Sequence, residues 1–535
     1  MTQLSASHDE ASERKGNVKD VPEVVGLAVA QVLAQAAAES SLSAMVLTLS
    51  SGLRQLGLAV LSLLLAERDM PYRRRQLEVL CPDCAGKMER LKNLREVRRY
   101  TLLGKLVYKR CRYRCLHCGK RIFPLDESLS IKAKLRGHSD EFASEVVLLC
   151  ALMPFAKGCE LFERMRGFAL STTVACALTR SVGETLVEME MTRAEELWKL
   201  RHERPELFEP TPAELRGLER HDRVYVMMDN SKAGIQQGKR GRGAPKDRTL
   251  RKQLLEAQRK AVRAAKKGKA GAMPPAQVPH LEELADEDSW RDVRALLIFR
   301  EADLVETSKK RREVIHRRVI AHVGTKDEWM RLVHMALHEE GVYTAREVVI
   351  IADGGNGIWP LFDELLPSTR FRKVVQILDW YHAASHLWAV GRALKGWKTK
   401  AERKVCASWV HGLLDDLAKG KVANVLQRLR RLRPRSEAAK DTVRKCIDYF
   451  DGHRHRMRYA WCRNKGMLIG SGPVESVHGW VIQARCGLPG MRWSIEGINA
   501  MLRLRCSWAS GRWDEDFALA AAPNSPSDRN LKAAA

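Results

Sequence analysis

The chain has 535 residues, and its 92 Lys and Arg exceed its 65 Asp and Glu, which gives a formal net charge of +27. This length is too great for one compact core and predicts two to four domains. The charge favours a polyanionic partner, for which DNA and RNA are better candidates than an anionic membrane.

The amino-terminal part of the chain carries no recognisable chemistry. Residues 1–20 are polar and mixed in charge, unlike a secretory signal, and are predicted to be disordered. Residues 21–78 are predicted to form two or three apolar helices. The longest apolar runs, near residues 24–38 and 56–66, are shorter than the roughly 20 residues that span a bilayer. We therefore expect a cytoplasmic protein with no membrane partner.

Two closely spaced cysteine pairs predict a zinc ribbon. Cys81 and Cys84 form one Cys-x-x-Cys knuckle, and Cys115 and Cys118 form another. Four thiolates from two knuckles make a closed tetrahedral site that holds Zn²⁺ for a structural purpose. Reduced core thiols are the alternative, and Cys111 is a spare thiol that could replace Cys115. The basic residues between the knuckles suit phosphate contacts.

Residues 129–205 are helical by their periodicity. The segments GCELFERMRGF and STTVACALTRSVGETL are joined by a short turn and have the proportions of a helix-turn-helix. Two packed helices without a DNA role fit this pattern about as well.

From about residue 222 the pattern changes to apolar strands that alternate with amphipathic helices, as in an α/β domain. Two segments interrupt this pattern. Residues 235–285 are strongly basic and low in complexity, which predicts a flexible loop that contacts nucleic acid or, alternatively, only a solvated segment. Residues 390–465 are helical and basic and are predicted to form an insertion.

Three carboxylates lie at predicted element ends in this region. Asp229 and Asp353 each close an apolar strand, and Glu475 opens a late helix in GSGPVESVHGW. Converging acids repel one another unless cations neutralise them, and hard oxygen ligands suit Mg²⁺ or Mn²⁺. Taken singly, each acid also fits a turn or a helix start. His478 lies one helical turn after Glu475 and is expected to be solvated, with a supporting or DNA contact as the alternative.

The sequence resembles the DDE transposases of bacterial insertion sequences, most closely the ISKra type near the ISL group. The resemblance rests on CPDC…CLHCGKRIFPLDESL, VYVMMDNSKAG, VVIIADGGNGIW, ILDWYHAASHL and GSGPVESVHGWVIQARCGLPGMRWSIEGINAMLRLR. It implies an RNase H-like catalytic domain in which Asp229, Asp353 and Glu475 are catalytic and bind two Mg²⁺ or Mn²⁺ ions. It also implies a role near the active face for Asp379 and His382, which match an Asp-x-x-His motif of the family.

The reaction that this resemblance implies is hydrolysis at each transposon end, followed by attack of the released 3′-hydroxyl on target DNA. Arg492 is predicted to contact a phosphate, and Trp493 either to pack in the core or to stack on a base. The expected partners are terminal inverted repeats, target DNA and further copies of the chain, in association with a bacterial nucleoid. The alternatives are a catalytically silent regulator descended from a transposase, an RNase H-fold nuclease without strand transfer, and an RNA-binding protein.

The predicted fold class is multidomain α+β. In chain order we expect a disordered segment (1–20), N-terminal helices (21–78), a zinc ribbon (79–128), a helix-turn-helix-like DNA-binding region (129–205), the first part of an RNase H-like α/β catalytic domain (222–389), an α-helical insertion (390–465), the last part of the catalytic domain (466–515) and a disordered tail (516–535).

Overall fold

The computed structural model describes residues 21–132, 135–208, 223–236, 290–308, 311–355, 357–368, 372–489 and 491–522. The predictions for residues 1–20, for 237–285 of the basic loop and for 523–535 lie outside the described residues. The chain is mixed α+β and divides into two compact units. Unit 1 comprises the chain up to Val182 and from Phe517 onward, and unit 2 comprises Gly183–Asp516.

Unit 1 begins with helices and continues into small antiparallel sheets. In chain order its elements are α1 (Val21–Ala37), α2 (Leu42–Arg73), β1 (Met88–Arg90), β2 (Arg95–Thr101), β3 (Gly104–Arg110), β4 (Tyr113–Cys115), β5 (Arg121–Ile122), α3 (Pro124–Ser128), α4 (Asp140–Leu152) and α5 (Phe155–Arg166). Strands β1, β4 and β5 form a three-stranded sheet in the order β1-β4-β5, and β2 pairs with β3 as a hairpin.

Helix α2 connects the apolar amino-terminal part of unit 1 to the ribbon. The hydroxyl of Ser41 caps the helix by accepting the N–H of Ala44. Among the described helices, α2 alone is long and apolar enough to cross a membrane by length and composition, which the shorter apolar runs of the sequence do not predict. At its other end the buried carboxylate of Asp69 accepts the N–H of Cys111 and pairs with Arg73. The last turn of α2 is thereby tied to the cysteine-bearing segment.

The predicted helix-turn-helix region contains α5 and a longer partner, α6 (Thr172–Glu203). Helix α5 ends at Gly167, whose φ of 71° stops the helix, and the hydroxyl of Ser171 caps α6 by accepting the N–H of Val174. Helix α6 does not end with the apolar segment near residue 186: it is 32 residues long in all and ends at Glu203.

Unit 2 is built on one mixed sheet. In chain order its strands are β6 (Arg223–Gly234), β7 (Trp290–Arg300), β8 (Leu304–Ser308), β9 (Arg311–Val314), β10 (Arg318–His322), β11 (Glu347–Ala352) and β12 (Lys373–Leu378). The five-stranded sheet has the order β10-β7-β6-β11-β12, and β8 and β9 form a separate hairpin. Strands β10, β7 and β6 are antiparallel neighbours, whereas β11 runs parallel to both β6 and β12.

The remaining elements of this part of the chain are helical. They are α7 (Lys326–Glu339), α8 (Ile358–Leu365), α9 (Trp380–Lys395), α10 (Lys400–Ala418), α11 (Val422–Arg430), α12 (Glu437–His453), α13 (Tyr459–Asn464), α14 (Gly472–Val477), α15 (Ala484–Cys486), α16 (Ile495–Ala509) and α17 (Trp513–Ala521). Helices α10 to α13 and the last residues of α9 occupy the predicted insertion, 390–465. The sequence predicts a disordered tail from residue 516, but helix α17 continues past this position. Trp513 and Phe517 are buried on one side of the helix, which stabilises it.

The apolar runs of the sequence become the buried centre of the sheet. Residues 224–228 of β6 and 348–352 of β11 are buried throughout, as expected for strands covered on both faces. Helix α16 covers the outer strand β10, where the carboxamide of Asn499 accepts the N–H of Val323 and donates to its carbonyl, both at 2.9 Å. These bonds occupy backbone groups at a sheet edge that is otherwise open to pairing with another strand.

Candidate functional site

The strand register places Asp229 beside Asp353. In the parallel pair of β6 and β11, Met228 lies opposite Ala352, and an aspartate follows each of these two residues. Since neighbouring strands are about 4.8 Å apart, the two carboxylates leave adjacent positions of the sheet. The side chains are 19% and 22% exposed, respectively. Both acids are therefore half-buried yet open to a ligand.

The sequence pattern predicts that Asp229 closes its strand, and this prediction is wrong. Strand β6 continues to Gly234, and its pairing with β7 continues as far as Trp290. What ends at Asp229 is the parallel pairing with β11, because β11 stops at Ala352. The carboxylate is thus exposed by the end of its neighbour rather than by the end of its own strand.

The third parallel strand also leads into an aspartate. Leu378 of β12 lies opposite Ala352, and Asp379 follows it. Asp379 is fully buried and accepts two N–H groups, each at 2.7 Å, from His382 at the start of α9 and from Ser471. Burial by itself would raise the pKa of Asp379, but these hydrogen bonds outweigh it and lower the pKa. Asp379 therefore joins β12, α9 and the segment before Glu475 as an ionised carboxylate.

His382 lies between two of the aspartates. Its Nδ1 is 3.4 Å from Oδ2 of Asp379, and its Nε2 is 3.9 Å from Oδ2 of Asp353. The hydrogen bond with Asp379 raises the pKa of His382, and partial burial opposes this change. A protonated ring here partly neutralises Asp353.

Asp353 is the electrostatically strained member of the group. Burial raises its pKa, and the charges of Asp229 and Asp379 add to the rise, whereas the N–H of Gly355 and the ring of His382 oppose it. Two adjacent carboxylates in this condition repel each other, and a divalent cation between them would relieve the repulsion. The donor chemistry of Asp229 and Asp353 therefore fits Mg²⁺ or Mn²⁺.

Glu475 is exposed and does not close onto the two aspartates. Its Oε1 accepts the hydroxyl of Ser471 at 2.9 Å, within the first turn of α14. Among the residues that the structure describes, only the four ribbon cysteines form a set of three or more metal-ligating atoms within 4.8 Å of one another. The structure therefore brings Asp229 and Asp353 together and leaves Glu475 outside a three-acid set.

His478 is buried rather than solvated, contrary to the expectation from sequence. It is 4% exposed, and its Nε2 lies 3.7 Å from Oδ2 of Asp229. Burial lowers its pKa, and Asp229 and Glu475 oppose this effect. His478 begins a π-helical turn, His478–Gln483, and such widened turns are frequent at functional sites. Helical spacing favours this burial, because His478 lies four residues after Val474 and three before Val481, both of which are buried.

A contact from the helical insertion holds the turn that follows Asp353. The hydroxyl of Tyr449 on α12 accepts the N–H of Gly354 at 3.2 Å. The Tyr449 ring also stacks on His386 of α9, with 3.9 Å between ring centroids. An ideal Cβ at Gly354 would lie 2.2 Å from Cε2 of Tyr449, so this approach requires glycine. The glycine-rich turn ADGGNG is the only signal of this contact in the sequence.

Arg492 and Trp493 do not join the carboxylates. The backbone of Trp493 bonds to Gly234 and Gln236, and its indole N–H donates to the carbonyl of Cys486 at 3.1 Å. Gly234 is five residues beyond Asp229 in an extended strand, which corresponds to roughly 16 Å. Trp493 packs against the end of β6, and the guanidinium of Arg492 lies 5.2 Å from the ring centroid of Trp290.

The second candidate site is the group of four cysteines in unit 1. The Sγ atoms of Cys81, Cys84, Cys115 and Cys118 all lie within 4.8 Å of one another, and two of the separations are 3.5 Å. Zn–S bonds of about 2.3 Å in a tetrahedron give S···S separations of roughly 3.8 Å, so the group fits a structural metal such as Zn²⁺. Backbone N–H groups of Cys118 and His117 point at Sγ of Cys115 and lower its pKa to about 6.

Cys111 lies outside this group. Its thiol is fully buried beside Asp69, and burial raises its pKa, so it is a core residue rather than the replacement for Cys115. The four residues that could hold a metal are therefore the two Cys-x-x-Cys pairs.

Comparison of the chain with protein-family models found no matching family, and comparison with curated proteins found no significant match.

Proposed function

We propose that the chain is a DDE-type transposase that cleaves DNA at transposon ends and joins the ends to target DNA in a metal-dependent reaction. The observation that carries this proposal is the placement of Asp229 and Asp353 at adjacent positions of two parallel strands. A chain with a net charge of +27 attracts polyanions, and a pair of acids exposed within it suits cations that accompany a phosphodiester.

The architecture of unit 2 supports an RNase H-like catalytic domain as the finer assignment. Its sheet is mixed and five-stranded, with both aspartates on the central parallel pair. Helices α9 to α13 separate Asp353 from Glu475 in the chain. This order of acid, acid, helical insertion and glutamate is the one that the resemblance to DDE transposases implies.

The residues around the two aspartates have distinct roles in this proposal. Asp229 and Asp353 would hold Mg²⁺ or Mn²⁺, which when bound polarises the phosphodiester and stabilises charge on the attacking and leaving oxygens. His382 is placed to neutralise Asp353, and Asp379 fixes both His382 and the start of the Glu475 helix. Tyr449 fixes the backbone immediately after Asp353.

The proposed reaction consists of two in-line displacements at phosphorus. In the first, water attacks the phosphodiester at the transposon end, the P–O3′ bond breaks, and a 3′-hydroxyl is released. In the second, that hydroxyl attacks a target phosphodiester, a new P–O bond forms, and the 3′-oxygen of the target leaves. Each step exchanges one P–O bond for another, so no external energy source is required.

Unit 1 would supply binding rather than chemistry. We assign the four-cysteine group to a structural zinc ribbon that presents basic side chains to phosphates, and α5 with the first part of α6 to recognition of the terminal repeats. Because paired ends must be processed together, the active form is proposed to be a homo-oligomer that acts in the cytoplasm at the nucleoid.

One observation favours a second candidate, a catalytically silent DNA-binding regulator. The carboxylate of Glu475 is bonded to Ser471 and does not complete a three-acid set with the two aspartates. If Glu475 stayed apart from the two aspartates in the presence of DNA and metal, the chain would bind DNA without cleaving it.

The test uses the purified full chain, Mg²⁺ and duplex DNA that carries the sequences flanking its gene. The transposase proposal predicts nicks at the ends and joined products with wild-type protein, and neither with Asp353→Asn at equal DNA binding. Nicks without joined products would indicate a nuclease. Binding without cleavage by wild type would overturn the proposal in favour of the regulator.

A further inference from the structure

His478 presents a buried imidazole to the first aspartate. Its side chain is 4% exposed, and within the described part of the chain neither Nδ1 nor Nε2 is in hydrogen-bonding geometry with another residue. Buried polar groups in proteins are nearly always hydrogen-bonded, so a ring with two unengaged nitrogens requires an explanation. The nearest carboxylate oxygen is Oδ2 of Asp229, 3.7 Å from Nε2.

This separation is too long for a hydrogen bond but suits two ligands of one ion. Bonds of about 2.0–2.2 Å place two ligand atoms of an octahedral ion roughly 3.0 Å apart at adjacent positions. A movement of about 0.7 Å from the observed separation brings the two atoms to that distance. His478 lies at the start of a π-helical turn, a widened helix geometry that is frequent at functional sites.

We propose that Nε2 of His478 is a ligand of the cation that Asp229 binds, so that the centre has a mixed nitrogen and oxygen ligand set. This inference rests on the proposed metal-binding role of Asp229. Mg²⁺ prefers oxygen ligands, whereas imidazole favours later transition metals, so His478 shifts the preference of the site from Mg²⁺ toward Mn²⁺.

His382, the second histidine near the aspartates, does not share these properties with His478. His382 lies 3.9 Å from Asp353, but its Nδ1 is within 3.4 Å of Asp379 and its side chain is 42% exposed. The contact with Asp379 engages the ring of His382, whereas neither ring nitrogen of His478 has a hydrogen-bond partner among the described residues.

The experiment measures Mn²⁺ bound to the full chain without DNA. Pulsed electron paramagnetic resonance detects ¹⁴N coupling from a nitrogen ligand, and calorimetry gives the Kd. We expect ¹⁴N coupling in wild type, its loss in His478→Ala, and a Kd for Mn²⁺ that is weaker by roughly 10–100-fold. His411→Ala is the matched control, because His411 is an exposed histidine of α10 and its removal should change neither result.

Two further variants keep the test decisive. His478→Gln preserves most of the side-chain volume and should lose the ¹⁴N coupling even if His478→Ala does not fold, and Asp229→Asn should weaken binding of the same ion. Persistence of the coupling in His478→Gln, or its absence in wild type with Mn²⁺ bound, would overturn the assignment. If wild type shows ¹⁴N coupling but does not cleave DNA, His478 is a metal ligand and the transposase proposal is wrong. If wild type cleaves DNA but shows no ¹⁴N coupling, the transposase proposal holds and His478 is not a ligand.

Discussion

The close approach of Gly354 to α12 gives a prediction that links folding to the candidate site. A Cβ at this position would lie 2.2 Å from Cε2 and 2.8 Å from Cζ of Tyr449, and 2.8 Å from Nε2 of His453. Carbon atoms in contact are normally about 3.5–4.0 Å apart, so in Gly354→Ala the turn or α12 must move by more than 1 Å. Overpacking of this kind costs about 1–3 kcal/mol.

The same displacement should weaken metal binding, because Gly354 directly follows Asp353. We expect the free energy of unfolding from denaturant titration to fall by about 1–3 kcal/mol, and the Kd for Mn²⁺ from calorimetry to rise. The matched control is Gly452→Ala on α12, where a Cβ meets no atom within 4 Å. That variant should be neutral or slightly stabilised, since alanine is the better helix former.

A second substitution tests the cause. Tyr449→Ala removes the ring that the new Cβ would meet and also loses the hydrogen bond to Gly354, which is worth about 1 kcal/mol. In a double-mutant cycle, Gly354→Ala should therefore cost less in the Tyr449→Ala background than in wild type. Additive costs, or a Gly354→Ala variant as stable as wild type, would refute the claim that close packing against Tyr449 fixes the Asp353 turn.

Three further changes have expected outcomes. Cys115→Ser should abolish retention of Zn²⁺ after dialysis, measured by elemental analysis, whereas Cys111→Ala should retain it; equal retention by both would remove Cys115 from the ligand set. Asn499→Ala leaves the N–H and C=O of Val323 unpaired at a buried position and should lower the free energy of unfolding by roughly 2–4 kcal/mol in a denaturant titration; an unchanged value would contradict this role of Asn499. His334 is fully buried, and burial lowers its pKa to about 4, below the value of about 6.5 in the unfolded chain. Because the unfolded state binds the proton first, the stability that neutral His334 contributes is complete above pH 6.5 and is lost as the pH falls toward 4, by roughly 2 kcal/mol between pH 7 and pH 5. Denaturant titrations of His334→Gln at these two pH values should show a correspondingly smaller loss.

Local patterns predict much of unit 2 because its strands are continuous apolar runs. The segments that become β7, β10, β11 and β12 stand out in this way, as do the amphipathic helices between them. The hairpin of β8 and β9 does not, because it is polar and exposed and has no apolar alternation to mark it. The end of β6 was also mispredicted, since the pattern cannot show that Gly234 pairs with Trp290, 56 positions away.

Local patterns likewise predict some residues of the candidate sites and not others. Spacing along the chain identifies the four ribbon cysteines, because Cys-x-x-Cys fixes the ligand geometry locally. Asp353 can be proposed from a strand end and Asp229 from the end of an apolar run, but their adjacency depends on the register between strands 124 positions apart. Helical spacing from Val474 favours the burial of His478. The bond from Gly354 to Tyr449 depends on how the helices pack, which no local pattern contains.

The central claim is that Asp229 and Asp353 hold cations against a phosphodiester of bound DNA. A sulfur substitution at the scissile phosphate tests it most directly, since sulfur binds Mg²⁺ poorly and binds Mn²⁺ better. We expect wild type to cleave the normal end with either metal and the phosphorothioate end only with Mn²⁺, and we expect Asp353→Asn to cleave neither end. Equal cleavage of both ends in Mg²⁺, or cleavage that survives in Asp353→Asn, would contradict it.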